Sequence, residues 1–201
     1  MAGLLSNFRN TVILSVILAL VMVGAYSQSP QGTDGAFWQA VLRWLHTFFG
    51  ILWIGLLYYF NFVQIRKMPE IPAELKPGIS KYIAPEALFW FRYAALATWI
   101  MGVILAFSRG YLFDAITLGA LSGFANPQVT FIGLGMWLAT IMFINVWGVI
   151  WPNQKRALGI VPAEDAAKAR SASVAMMASR TNLILSLPML YCMVTQTHVG
   201  G

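Results

Sequence analysis

The sequence predicts an all-α integral membrane bundle of about five transmembrane helices, forming one domain over residues 1–201. Composition is the first observation behind this class. Of the 201 residues, 59% are hydrophobic and only 10% are charged, whereas an ordinary soluble domain has about 25% charged residues. The second observation is the presence of apolar runs close to the ~20 residues that a helix needs to cross a bilayer. The third is the position of the basic residues, which flank these runs.

The predicted spans follow the apolar runs in chain order. They cover about residues 10–27, 37–65, 86–108, 129–151 and 173–197. The first follows a basic residue, as a secretory signal would, but we expect it to be an uncleaved first helix. The connection 109–128 is too short to span, and we expect it to lie along the surface or to dip partly into the membrane.

The distribution of Lys and Arg predicts the orientation of the bundle. Loops 66–82 and 153–170 carry four basic residues each, against one in loops 27–35 and 109–128 combined. Cytoplasmic loops hold the excess of Lys and Arg, so the N-terminus is expected inside and the C-terminus outside. The net charge of +6 does not indicate nucleic-acid binding, which needs the basic residues on one soluble face.

The single cysteine, Cys192, limits the redox chemistry that these residues can carry. One cysteine forms no internal disulfide and no CxxC or CxxCH motif. A zinc ribbon and a covalently attached c-type haem are therefore excluded within this chain.

Two histidines, His46 and His198, are predicted to lie at the same depth. Counting back from Arg66, His46 is 20 residues away, which is ~30 Å of helix, and His198 is 18 residues, or ~27 Å, beyond Arg180. Both counts end near the predicted outer face. Ionisable residues within a membrane are candidates for function because leaving them unpaired there costs several kcal/mol.

Residues around His46 form a helical stripe. Arg43, His46, Gly50 and Trp53 recur at steps of three and four residues, which keeps them on one face. A glycine on that face admits a flat ligand or a neighbouring backbone. His46 is thus a candidate axial ligand of a b-type haem or another metal, with Arg43 pairing a propionate. The alternative is a histidine that only hydrogen-bonds across a helix interface.

His198 has the same two interpretations, a metal or haem ligand or an interfacial side chain without a ligand. A second candidate site lies at the opposite, inner boundary. Arg66, Arg92, Arg180 and Asn145 could contact a lipid phosphate or an organic anion there. Snorkelling of the basic side chains to the head groups is the alternative explanation.

Four motifs resemble the membrane domain of the bacterial cytochrome-c-linked urate oxidases. RWLHTFFGILWIG (43–55) is similar to the RWLH…WIG signature of that family, and WFRYAALATWIMG (90–102) is similar to its basic-aromatic segment. NVWGVIWPNQKR (145–156) resembles its N-x-x-x-V-I-x-P-N-Q element, and SRTNLILSLPMLYCM (179–193) resembles its final helix.

The resemblance implies a membrane redox module in the bacterial inner membrane, passing electrons from a substrate to a periplasmic haem. His46 matches the histidine of RWLH, residues 152–154 match PNQ, and His198 stands near a histidine past the last helix of the family. The sequence departs from the family in reading Arg180-Thr181-Asn182 where a His-Asn pair is usual, and in having no CxxCH. We therefore expect a subunit that works with a separate periplasmic cytochrome or with other membrane subunits, and leave open whether this chain is itself an enzyme.

Three functions compete at this stage. The first is a redox or electron-transfer subunit with haem b or a metal near the periplasmic face. The second is a cofactor-free accessory subunit of a respiratory, photosynthetic or oxygenase complex. The third, a transporter or anion binder, is disfavoured because the sequence shows neither repeat symmetry nor interrupted helices.

Overall fold

The computed structural model describes residues 2–29 and 32–199, and within them every regular element is helical. We label the five long helices α1 to α5. They are α1 (Phe8–Ser27), α2 (Gly35–Tyr58), α3 (Ala84–Ser108), α4 (Pro127–Asn145) and α5 (Asp165–Thr195). This confirms the all-α class, and each of these helices overlaps one of the predicted apolar runs.

Short helical segments extend three of the long helices. The π-helix Tyr59–Gln64 and the segments Ile65–Lys67 and Met68–Glu70 continue α2, while Lys76–Gly78 and the π-helix Ile79–Ile83 lead into α3. The π-helix Val146–Ile150 and the short helix Trp151–Ala157 continue α4. A 3₁₀ turn, Gln196–His198, follows α5. Single-turn π segments occur frequently at functional sites.

Side-chain caps explain where two helices begin. The side chain of Asn7 accepts a hydrogen bond from the backbone N–H of Asn10, ahead of α1. The side chain of Asn126 accepts from the backbone N–H groups of Gln128 and Val129, and Pro127 takes the first helical position of α4. Both arrangements satisfy N–H groups that have no partner within the helix.

Four of the described helical stretches are long and apolar enough to cross a membrane: Phe8–Ser27, Gly35–Glu70, Lys76–Ser108 and Pro127–Ala157. These stretches indicate a membrane protein. Helix α5 is not among them, since its first half is rich in Ser and carries Lys168, Arg170 and Arg180. That α5 is a fifth membrane span therefore stays a prediction. The orientation, with the N-terminus inside and the C-terminus outside, stays a prediction as well.

The chain divides into two compact units, residues 1–44 and 45–201, with the boundary inside α2. In the first unit, the rings of Tyr26 and Phe37 stack with centroids 5.5 Å apart. Helix α1 has no buried residue. Such an apolar and exposed surface suits a helix that faces lipid.

The core of the second unit lies where α2, α3, α4 and α5 meet. Its most deeply buried large side chains include Trp53, Leu57, Phe91 and Met142. Polar links between helices accompany this packing. The indole Nε1 of Trp99 donates to Thr140 Oγ1 at 3.1 Å, which joins α3 to α4.

The connection 109–128 contains a short helix, Leu112–Ile116, and a 3₁₀ turn, Ala120–Ser122. It packs onto the start of α4. Gly133 lies so close to the backbone carbonyl of Ala115 that a Cβ atom there would overlap it. The indole Nε1 of Trp137 donates to the carbonyl of Ile116 at 2.9 Å. The segment is therefore an ordered part of the second unit.

Candidate functional site

His46 contacts α3 at two points. Its Nδ1 lies 2.9 Å from the backbone carbonyl oxygen of Thr98. An ideal Cβ on Gly102 would lie 2.8 Å from His46 Cε1, 3.0 Å from Nδ1 and 3.9 Å from Nε2. Because Thr98 and Gly102 are one helical turn apart, the imidazole fits into a notch on α3 that exists only where residue 102 has no side chain.

The hydrogen bond fixes the tautomer of His46. A carbonyl oxygen only accepts, so Nδ1 carries the proton and the neutral ring has its lone pair on Nε2. In the described part of the chain Nε2 has no hydrogen-bond partner, and it is not among the side-chain atoms that are both buried and unpartnered. The atom is therefore not fully enclosed by the protein. A histidine that donates its other N–H to a backbone carbonyl is the usual arrangement for a metal-binding imidazole.

The residues that follow His46 in the predicted stripe, Gly50 and Trp53, lie on a helix that packs against α3. A Cβ on Gly50 would lie 3.7 Å from the Cγ2 atom of Thr98. Trp53 is 1% exposed in the core, and its Nε1 is buried without a hydrogen-bond partner. Gly50 therefore faces α3 with room for a methyl group, and both uses expected of this glycine stay predictions.

Arg43 belongs to the first unit, and its side chain is exposed. In the same unit an open groove of about 390 Å³ has an apolar lining with no histidine, carboxylate or basic side chain. The lining consists of Ala19, Met22, Val23, Tyr26, Ala40, Val41 and Trp44. This groove offers a surface for hydrocarbon and no metal ligand other than the thioether of Met22.

His198 lies in the 3₁₀ turn after α5, and its side chain is exposed. Its Nδ1 is 3.2 Å from Thr197 Oγ1. The stripe that precedes it on α5 is also exposed, with 66% for Leu187, 63% for Tyr191 and 70% for Val194. Among the described contacts none joins His198 to His46. The predicted pairing of the two imidazoles around one ligand stays a prediction.

The four residues predicted to bind an anion or lipid have different environments. Arg66 and Arg180 are exposed. Arg92 is half-buried, and its guanidinium carbon lies 3.8 Å from the centroid of the Trp151 ring. The amide of Asn145 donates to the carbonyl of Ala178 at 2.9 Å and to Asn182 Oδ1 at 2.7 Å.

The side-chain amide of Asn145 thus takes part in hydrogen bonds between helices. Its partner Asn182 is fully buried and donates in turn to the carbonyl of Met142 at 3.1 Å. The two amides join α4 to α5 through reciprocal hydrogen bonds, a common means of holding helices together in membranes. Asn182 was not among the predicted residues, and only its polarity within an apolar run could have indicated it.

The sequence analysis also did not predict three contacts of the candidate residues. These are the contacts of His46 with Thr98 and Gly102 and the contact of Arg92 with Trp151. Thr98 takes part through its backbone carbonyl, which no side-chain pattern shows. Gly102 ends the W-F-R-Y…T-W-x-x-G motif, but nothing in the sequence pairs it with His46. In the described residues no group of three or more His, Cys, Asp or Glu side chains is arranged to hold a metal ion.

Comparison with known proteins supports the resemblance. Residues 115–200 match the family model described as the urate oxidase N-terminal region, Urate_ox_N. No curated protein and no solved structure matches the chain. The match includes the N-x-x-x-V-I-x-P-N-Q element and the final helix, but it begins after His46 and Arg92. The helices and the match together indicate a membrane-associated protein, and its resemblance is to the N-terminal membrane region of the urate oxidases.

Proposed function

We propose that this chain is a membrane redox subunit in which His46 Nε2 would hold a b-type haem. In the proposal it resides in the bacterial inner membrane and exchanges electrons with a periplasmic cytochrome or another membrane subunit. One observation carries the proposal. The Nδ1–H of His46 is held by the Thr98 carbonyl, which leaves Nε2 unprotonated, without a partner among the described residues and not fully enclosed.

His46 is a side chain of the kind that this group takes as a ligand. A haem needs only one or two axial side chains from the protein, whereas a bare zinc or calcium ion needs at least three protein ligands. The haem would supply one-electron chemistry.

The protein's own contribution is to orient and shield the imidazole. The Thr98 carbonyl holds the proton at Nδ1, and the notch at Gly102 sets the position of the ring. Trp53, two helical turns along the same stripe, is 1% exposed in the core. Hydrogen bonds and burial around a ligand are the means by which a protein tunes a haem. Arg43 and His198 remain proposed as a propionate partner and a second axial ligand.

The test compares the wild type with His46→Gln and His198→Ala after purification in mild detergent with bound partners retained. Glutamine removes the imidazole and keeps a polar side chain of similar length, so it separates loss of the ligand from loss of side-chain volume. We expect the wild type to contain haem by pyridine haemochrome assay, and His46→Gln to lose it with an unchanged elution profile. If His198 is the second ligand, His198→Ala keeps haem with an altered spectrum.

Two results would contradict the proposal. One is a wild-type preparation that is free of haem and metal although its partners are retained. The other is a His46→Gln variant with the haem content of the wild type. Metal analysis of the same samples reports a metal other than haem iron.

The second candidate is a cofactor-free accessory subunit, which the surface of α5 supports. Ile184, Leu187 and Val194 are 72%, 66% and 70% exposed, and such a stripe suits packing against another membrane subunit as well as against lipid. In that case His46 only joins α2 to α3. A stable complex whose cofactor content and turnover are unchanged by His46→Gln would establish this function.

A further inference from the structure

Two cationic side chains lie near one indole ring. The ring is at the ends of α3 and α4 that adjoin the basic loops 66–82 and 153–170. The guanidinium carbon of Arg92 is 3.8 Å from the centroid of the Trp151 ring, and Lys155 Nζ is 5.7 Å from it. Both basic side chains are half-buried. The rings of Phe89 and Tyr93 lie 5.5 and 5.2 Å from the Arg92 guanidinium. We call Arg92, Trp151 and Lys155 the Trp151 cluster.

The cluster carries two positive charges and no negative one. Within residues 2–29 and 32–199 the ion pairs are Lys67–Glu70 and Lys168–Asp165, and neither includes a member of the cluster. The acid nearest in sequence on α3 is Glu86, whose Oε1 accepts a hydrogen bond from Trp90 Nε1 at 2.9 Å. The aromatic contacts attract the Arg92 cation, but its N–H donors have no acceptor among the described residues.

Snorkelling alone does not produce this arrangement. A basic side chain that only reaches for water extends away from its helix and is exposed, as Arg66 and Arg180 are. Arg92 instead lies against an aromatic ring, on a helix distant in sequence, that also contacts Lys155. A guanidinium held in this way presents a fork of N–H donors that matches the oxygens of a phosphate.

We propose that the Trp151 cluster binds the phosphate of an anionic phospholipid head group. The position favours a lipid over a free anion. The adjoining Trp90 and Tyr93 are 47% and 44% exposed, and Trp and Tyr concentrate at the level of the head groups. Anionic lipids attract basic residues next to a membrane span. The site is separate from His46, so it holds whether or not the chain binds haem.

The experiment measures lipid adducts on delipidated protein by native mass spectrometry. The probes are phosphatidylglycerol, phosphatidylcholine and inorganic phosphate. We expect phosphatidylglycerol to bind in preference to phosphatidylcholine, and Arg92→Gln and Lys155→Gln each to reduce that preference by about fivefold, the effect of one charge near an anionic surface. Arg92→Lys keeps the charge but loses the fork of N–H donors, so it should retain only part of the preference.

Arg109→Gln is the matched control, because Arg109 also lies near an aromatic ring, 5.9 Å from that of Tyr111, in a different loop. It should leave the preference unchanged. The proposal is overturned if the wild type does not discriminate between the lipids, or if Arg109→Gln costs as much as Arg92→Gln. Displacement of phosphatidylglycerol by an equal concentration of inorganic phosphate would also overturn it in favour of a soluble anion. Lys155→Gln serves as the deciding variant if Arg92→Gln does not fold.

Discussion

A methyl group at residue 102 would collide with the imidazole of His46. In Gly102→Ala the new Cβ would lie 2.8 Å from Cε1 and 3.0 Å from Nδ1, so the ring must move and its hydrogen bond to the Thr98 carbonyl must lengthen or break. Overpacking of this kind costs about 1–3 kcal/mol. A side-chain hydrogen bond within a membrane contributes about 0.6 kcal/mol. Together they predict a loss of about 1.5–4 kcal/mol in the free energy of unfolding.

The single cysteine provides the assay. Cys192 is 7% exposed, so a thiol-reactive fluorescent dye reports unfolding of the second unit during heating in detergent. At about 2–4 °C per kcal/mol, the midpoint of Gly102→Ala should fall by roughly 3–16 °C. Gly50→Ala is the matched control, since it adds the same methyl group to the same helix pair, where the Cβ would make an ordinary contact of 3.7 Å with Thr98 Cγ2.

The intrinsic preference of alanine over glycine in a helix applies equally to both variants and cancels in the comparison. Equal midpoints for Gly102→Ala and Gly50→Ala would refute the close contact of His46 with α3. A haem-loaded preparation adds a second readout, because displacement of the imidazole should also alter the absorption spectrum. A spectral change without loss of stability would indicate that the ring is free to move.

The same dye assay tests two further contacts. Asn182→Ala removes the hydrogen bonds to Asn145 and to the Met142 carbonyl, and we expect a loss of about 1–3 kcal/mol; a midpoint equal to that of the wild type would contradict the buried amide pair. Gly133→Ala places a Cβ against the backbone carbonyl of Ala115, which cannot rotate away as a side chain can. It should therefore lower the midpoint more than Gly102→Ala does, and a smaller loss would show that the connection 109–128 is not packed onto α4.

Apolar length determined where the helices lie, and this part of the fold followed from the sequence. The run predicted over 86–108 became Ala84–Ser108, and the run over 129–151 lies inside Pro127–Ala157. The helices continue beyond the apolar runs because polar residues extend a helix past the bilayer at little cost. The π segments, such as Tyr59–Gln64, were not predicted, since one inserted residue leaves no trace in hydropathy.

The candidate site was only partly predictable. Sequence spacing gives the position of a residue along its helix axis, but it does not show which neighbouring helix that residue contacts. The rise per residue placed His46 and His198 at similar depth. In the structure His46 contacts α3, whereas the side chain of His198 is exposed, like the stripe of α5 that precedes it. Which side chain occupies the notch at Gly102 depends on how all the helices pack together. The backbone acceptor from Thr98 has no side-chain signature at all.

The absorption difference between the dithionite-reduced and the oxidised protein, measured on wild type and His46→Gln purified together with their partners, tests the central claim most directly. The account predicts a reduced-minus-oxidised haem spectrum in the wild type that is absent from His46→Gln, although the glutamine variant still unfolds in a cooperative transition when followed at Cys192. A wild type without any redox difference spectrum, or the same spectrum in both proteins, would contradict the assignment of His46 as a haem ligand.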